Sequence, residues 1–89
     1  MDEVYNYIFT NIYNKTSSIK FIKMDVEDLL FNKSEDYIIT KLNKYFKQFK
    51  ISCKNKIYKI SVPYIHSYRE FDILIHNNYW IVTIYPNEY

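Results

Sequence analysis

The sequence predicts an α+β domain in which helices come first and an antiparallel sheet of three to four strands comes last. Three observations carry that prediction. Apolar residues recur at helical spacing through the first half, the period falls to two after about residue 57, and two β-rich runs flank Asn77-Asn78 near the end. Helices and strands are segregated along the chain, as α+β domains require, and no internal repeat or linker interrupts them. At 89 residues the expected organisation is one domain over 1–89, and with 48% hydrophobic residues it has the material for one core.

From Asp2 to Asn14, Val4, Tyr5, Ile8, Phe9, Ile12 and Tyr13 form one helical face. Thr16 to Ser18 breaks it, and Ile19 to Met24 reads as a short strand with Ile19 and Phe21 on one side. Acids at Asp25, Glu27 and Asp28 precede Leu29, Leu30 and Phe31, which predicts a two-turn helix ending near Asn32. Ser34 caps the next helix, Glu35 and Asp36 suit its positive end, and Ile38, Leu42, Tyr45, Phe46 and Phe49 form its stripe as far as Lys50. Tyr58, Ile60 and Val62 then alternate with Lys59 and Ser61 in a strand that Pro63 ends or places at an edge, and Ile51 to Cys53 pairs with it across Lys54-Asn55-Lys56. Around Asn77-Asn78 the hairpin puts His76 opposite Tyr79, Ile75 opposite Trp80, Ile73 opposite Val82 and Phe71 opposite Ile84.

The expected core is Phe9, Ile12, Leu42, Phe46, Phe49, Ile60, Ile73, Trp80 and Val82. The other side of the hairpin carries Asp72, Leu74, His76, Tyr79, Ile81, Thr83 and Tyr85, too apolar for an ordinary wet face, so the N-terminal part or a partner is expected to cover it. The order of elements also admits a winged-helix-like arrangement with the Lys-rich helix in the recognition position.

Composition narrows the chemistry. Gly is absent, and phosphate-cradling loops depend on it, so no nucleotide cofactor is expected. Cys53 is the one cysteine, and His66 and His76 have no third ligand at a zinc spacing, so neither a disulfide nor a metal site is expected. Ser67 beside His66 does not make a nucleophile and base, and Tyr64 to Arg69 reads as a polar, partly exposed connection. No catalytic residue is expected. The opening MDEVYNYIFT carries acids where a secretory signal carries positive charge, and no apolar run approaches the ~20 residues of a membrane span. An intracellular protein, in the cytoplasm of a host cell, with no membrane partner is the expectation.

Charge is blocked along the chain: residues 1–36 carry a net −3, residues 37–69 a net +8 with no acid, and residues 70–89 a net −3. The basic block, with Lys41, Lys44, Lys47, Lys50, Lys54 and Lys56, is the candidate nucleic-acid surface, although one Arg is few for base and phosphate recognition. Asp25, Glu27, Asp28, Glu35 and Asp36 form a candidate acidic surface that would mimic phosphate towards a nucleic-acid-binding partner protein. Leu74, Tyr79, Ile81 and Tyr85 form a candidate apolar interface for a partner or a second copy.

Glu70 to Ile75 and Trp80 to Tyr85 together resemble the central hairpin of restriction-type PD-(D/E)xK nucleases, with Asp72 at the family's aspartate. Thr83 and Tyr85 stand at its Glu and Lys places, so the metal-holding chemistry is missing and no activity carries over. Abundant Ile, Lys, Tyr and Asn, with no Ala, mark AT-rich coding, as in phages, viruses and mobile elements. In profile the chain resembles small anti-defence proteins, anti-CRISPR proteins among them. The expected function is that of a non-enzymatic inhibitor or adaptor docking on a host protein. A nucleic-acid-binding regulator is the alternative.

Overall fold

A computed structural model describes residues 2–12, 17–25, 29–64 and 67–85. Its elements are α1 (Asp2–Asn11), β1 (Ser18–Lys23), α2 (Glu35–Tyr45), β2 (Lys50–Lys54), β3 (Ile57–Tyr64), β4 (Ser67–His76) and β5 (Tyr79–Ile84). The strands form one antiparallel sheet in the order β1-β5-β4-β3-β2, so β4 is central and β1 and β2 are the edges. The α+β class holds, with five strands where three to four were expected. The winged-helix alternative does not, because both helices pack on one side of a single continuous sheet.

The β4–β5 hairpin has the register its sequence predicts, from His76 opposite Tyr79 to Phe71 opposite Ile84. Its turn uses Asn77 at φ 52°, and the β2–β3 turn uses Asn55 at 53° and Lys56 at 64°. Both central residues of that second turn are left-handed, the geometry that suits the twist of two strands joined by two residues. Asn tolerates it, and Lys56 does so at a cost of about 1–2 kcal/mol.

Trp80, Val82, Ile84, Phe71, Ile73 and Ile60 are fully buried on one side of the sheet. Val4, Ile8 and Ile12 from the N-terminal helical stripe, with Ile38, Leu42 and Phe46, close that core from above. Phe46 meets Phe71 edge-on at 5.5 Å, and Tyr5 meets Phe46 at 5.3 Å, tying the helices to the sheet and to each other. Tyr7 donates to Ser18 Oγ at 2.7 Å, fixing β1 beside α1.

Several expectations change. The second helix stops at Tyr45, since Phe46 leaves helical dihedrals to fill the space between Tyr5 and Phe71; Lys47 and Lys50 therefore lie outside it. Ser34 caps it as predicted, accepting from Tyr37 N at 3.2 Å. Phe9 is exposed and Phe49 only half-buried, because each packs on the other at the rim, 6.1 Å apart. Of the two readings of Pro63 the edge is the one observed: β2 begins opposite Ser61, so β3 runs on through Pro63 as an edge where a missing N–H costs nothing. Arg69 is buried at 2% exposure, not part of an open connection, and donates to the Tyr85 carbonyl at 2.9 Å. The expected two-turn helix falls partly on residues 26–28, outside the described residues, while Leu29 and Leu30 after them are not helical and Phe31-Asn32 is a turn. Tyr13 and His66 also lie outside.

Trp80 probes this arrangement, being fully buried between the sheet and the helices. Its fluorescence should be blue-shifted and poorly quenched by acrylamide in the folded protein. Red-shifted, freely quenched emission would contradict the hairpin register.

Candidate docking face

Strand alternation that buries Trp80 and Val82 must present Tyr79, Ile81 and Thr83 on the opposite side, and neither helix lies there. The expected cover from the N-terminal part is therefore not what the described residues show. What the N-terminal part adds is β1, which extends the open face. The register aligns Phe21, Ile81, Leu74, Ile57 and Lys54 in one row across all five strands. Beside it run Ile19, Thr83, Asp72, Lys59 and Ser52 on one flank, and Lys23, Tyr79 and His76 on the other.

Phe21 and Ile19 are 63% and 61% exposed, more than any other large apolar side chain among the described residues, and Tyr85, Tyr79, Ile57 and Leu74 on the same face are also exposed. Single exposed apolar residues are normal in proteins, but a contiguous row of them marks an interaction surface. Sequence reading found Leu74, Tyr79, Ile81 and Tyr85 and missed Phe21, Ile19 and Ile57. The signal was the shared side of Ile19 and Phe21, which becomes decisive only once β1 is known to pair with β5.

One polar cluster is set into this face. Asp72, on the side of the hairpin away from the core, is nevertheless buried at 8% exposure. Its Oδ2 accepts from the Tyr85 hydroxyl at 2.5 Å, and its Oδ1 has no hydrogen-bond partner among the described residues. That hydrogen bond to a carboxylate, then burial, raises the Tyr85 pKa, because the proton is held between two oxygens. Lys59, directly across from Asp72, turns to Glu70 at 3.6 Å and lies 5.8 Å over the Tyr85 ring. A shallow hollow of about 300 Å³ opens beside this cluster between Ser52, Ile57, Lys59 and Asp72.

The basic block divides. Lys41 is half-buried and Lys44 exposed on α2, Lys47 follows the helix, and Lys50 and Lys54 lie on the open sheet face with Lys56 in the adjoining turn. Of the acidic set, Asp25 is exposed just after β1, Glu35 and Asp36 are exposed in the first turn of α2, and Glu27 and Asp28 lie outside the described residues. No described contact draws Asp25 towards the α2 pair. Among the described residues no three His, Cys, Asp or Glu side chains gather as a metal would require. The Asp72 of the nuclease-like hairpin faces a tyrosine hydroxyl instead of a second carboxylate.

A second hollow, of about 290 Å³, lies on the other side between Leu30, Glu35, Ile38, Cys53 and Tyr58. Burial, and then the Glu35 charge, raise the Cys53 pKa, which makes this thiol a poor nucleophile. Burial and the neighbouring Cys53 and Glu35 push Tyr58 up to about 12. No described helix is long and apolar enough to cross a membrane.

Two outcomes are expected. Tyr58 keeps its proton in the folded state to a higher pH than in the unfolded chain, so its contribution to stability is intact below pH 10.0 and is lost as pH rises towards about 12. Denaturant melts over that window should steepen downward by up to about 1.4 kcal/mol per pH unit, and Tyr58→Phe should flatten the slope. Tyr85→Phe leaves both oxygens of Asp72 without a partner and should lower stability by about 1–3 kcal/mol in urea unfolding, most of it relieved by adding Asp72→Asn. A scan of family models, a search of curated proteins and a search of solved structures found no match to this chain.

Proposed function

We propose that this chain is a non-enzymatic docking protein that binds another protein through the open face of its sheet. Its expected setting is the host cytoplasm, as an inhibitor or adaptor of the kind that phages, viruses and mobile elements encode. The observation that carries the reading is the apolar row Phe21, Ile81, Leu74 and Ile57, exposed except at the half-buried Ile81, with both helices on the far side. Aromatic and aliphatic centres with polar rims are the anatomy of protein interfaces, and Tyr79, Tyr85, Lys23 and His76 provide such a rim. The acidic surface is the weaker candidate, since Glu27 and Asp28 lie outside the described residues and no described contact joins Asp25 to Glu35 and Asp36.

One observation favours nucleic acid as a second reading. Lys23, Lys50, Lys54 and Lys59 share a face with Phe21, Tyr79 and Tyr85, and single strands are held by lysines around stacking aromatics. The surface then differs from the Lys-rich helix that the sequence suggested.

The test is capture from the cells in which the protein is made, using the wild type, a Phe21→Lys/Ile81→Lys variant and a Lys41→Glu/Lys44→Glu control, each shown folded by circular dichroism. A partner protein retained by the wild type and the helix control but lost by the sheet variant is the expected result, with at least ~10-fold weaker binding expressed mainly as faster dissociation. Equal retention by the sheet variant rejects the face. Recovery of nucleic acid alone, with affinity falling steeply between ~50 and ~200 mM salt, replaces the reading with the second one.

A further inference from the structure

Lysines outnumber carboxylates on the open face, and its most exposed apolar side chains stand at one edge. At the β1 end are Ile19 and Phe21, with Lys23 on the same face beside Tyr79. At the other end β2 presents Lys50 and Lys54, while Lys56 in the turn lines the hollow on the opposite side. No described carboxylate lies within ion-pair distance of Lys50 or Lys54. The carboxylates on the face itself are already engaged, Glu70 by Lys59 and Asp72 by the Tyr85 hydroxyl. Five strands about 4.8 Å apart put the two ends ~20 Å from each other.

We infer that the partner presents an acidic, hydrophobic surface to this face, with its apolar side chains over Ile19, Phe21 and Ile81 and its carboxylates over Lys50 and Lys54. The inference rests on the docking reading above and names the chemistry of its partner. Charge complementarity selects this occupant over two others. A second copy docked face to face brings either Lys50 and Lys54 or Ile19 and Phe21 against the lysines, and neither supplies a free carboxylate. A nucleic-acid strand carries a charge every few ångströms along its length. Between Lys23 and Lys54 it would have to cross Ile81, Leu74 and Ile57 with no lysine beneath it, or follow the flank that holds the buried, acidic Asp72.

Selection of a random peptide library on the whole folded chain tests this, with winning peptides synthesised and titrated by fluorescence anisotropy. Expected are peptides that join aromatic or aliphatic residues to a run of Asp or Glu. Lys50→Glu/Lys54→Glu should weaken them at least ~10-fold, and peptides whose acids are changed to Lys should regain binding to that variant. Phe21→Ala should also weaken them, chiefly through the off-rate. Peptides lacking acids, peptides indifferent to the lysine reversal, or no enrichment at all overturn the inference. If Phe21→Lys/Ile81→Lys abolishes binding while the lysine reversal does not, the docking face stands and its acidic partner falls. If neither variant matters, both fall. Preferential binding of a thymidine oligonucleotide that displaces the peptides assigns the lysines to nucleic acid instead.

Discussion

Two helices lying side by side span ~20 Å, about the width of a five-stranded sheet. The described chain has helices of ten and eleven residues, in contact through Tyr5 and Phe9 against Phe46 and Phe49, and that is enough to roof one face of its sheet once. Everything else follows from this limit. The face under the roof takes Trp80, Phe71, Ile73, Val82, Ile84 and Ile60, each contributing about 1.5–3 kcal/mol on burial relative to exposure. The face away from it carries an apolar row from Phe21 to Ile57 set among lysines and other polar residues, and no described helix covers it.

The C-terminal end of the sheet is held by polar contacts that all converge on Tyr85. Its carbonyl accepts from the buried Arg69, its N–H donates to the Glu70 carbonyl at 3.3 Å, and its hydroxyl donates to Asp72. A residue just past the last strand thus keeps one buried cation and one buried carboxylate hydrogen-bonded, where leaving either without a partner would be strongly destabilising. The same side chain lies at the border of the open face, so that border is fixed by buried chemistry as well as by strand register.

Local signals made much of this legible. Strict alternation on both sides of Asn77-Asn78 set the β4–β5 register, because a slip of one residue would turn Trp80 and Val82 outward. Ser34 three residues before Tyr37 was sufficient for the α2 cap. The end of α2 was not legible, since Phe46 and Phe49 continue the helical spacing while a tertiary contact with Phe71 draws Phe46 out of the helix. The candidate face was legible only on its hairpin half. Leu74, Tyr79, Ile81 and Tyr85 follow from one turn, whereas Phe21 joins them through a pairing between residues sixty apart in the chain, on which no local pattern bears.

The positions of β1 and β2 at the margins of the sheet have a consequence for assembly. Free strand edges invite further strands, and a six-residue edge carrying Ile19, Phe21 and Ile22 is the kind of template from which cross-β growth begins. Here Lys20 and Lys23 stud one edge and Lys50 and Lys54 the other. Charge at the margins discourages lateral addition of chains while the flat of the sheet stays adhesive. The molecule can therefore be sticky in one direction without polymerising in the other.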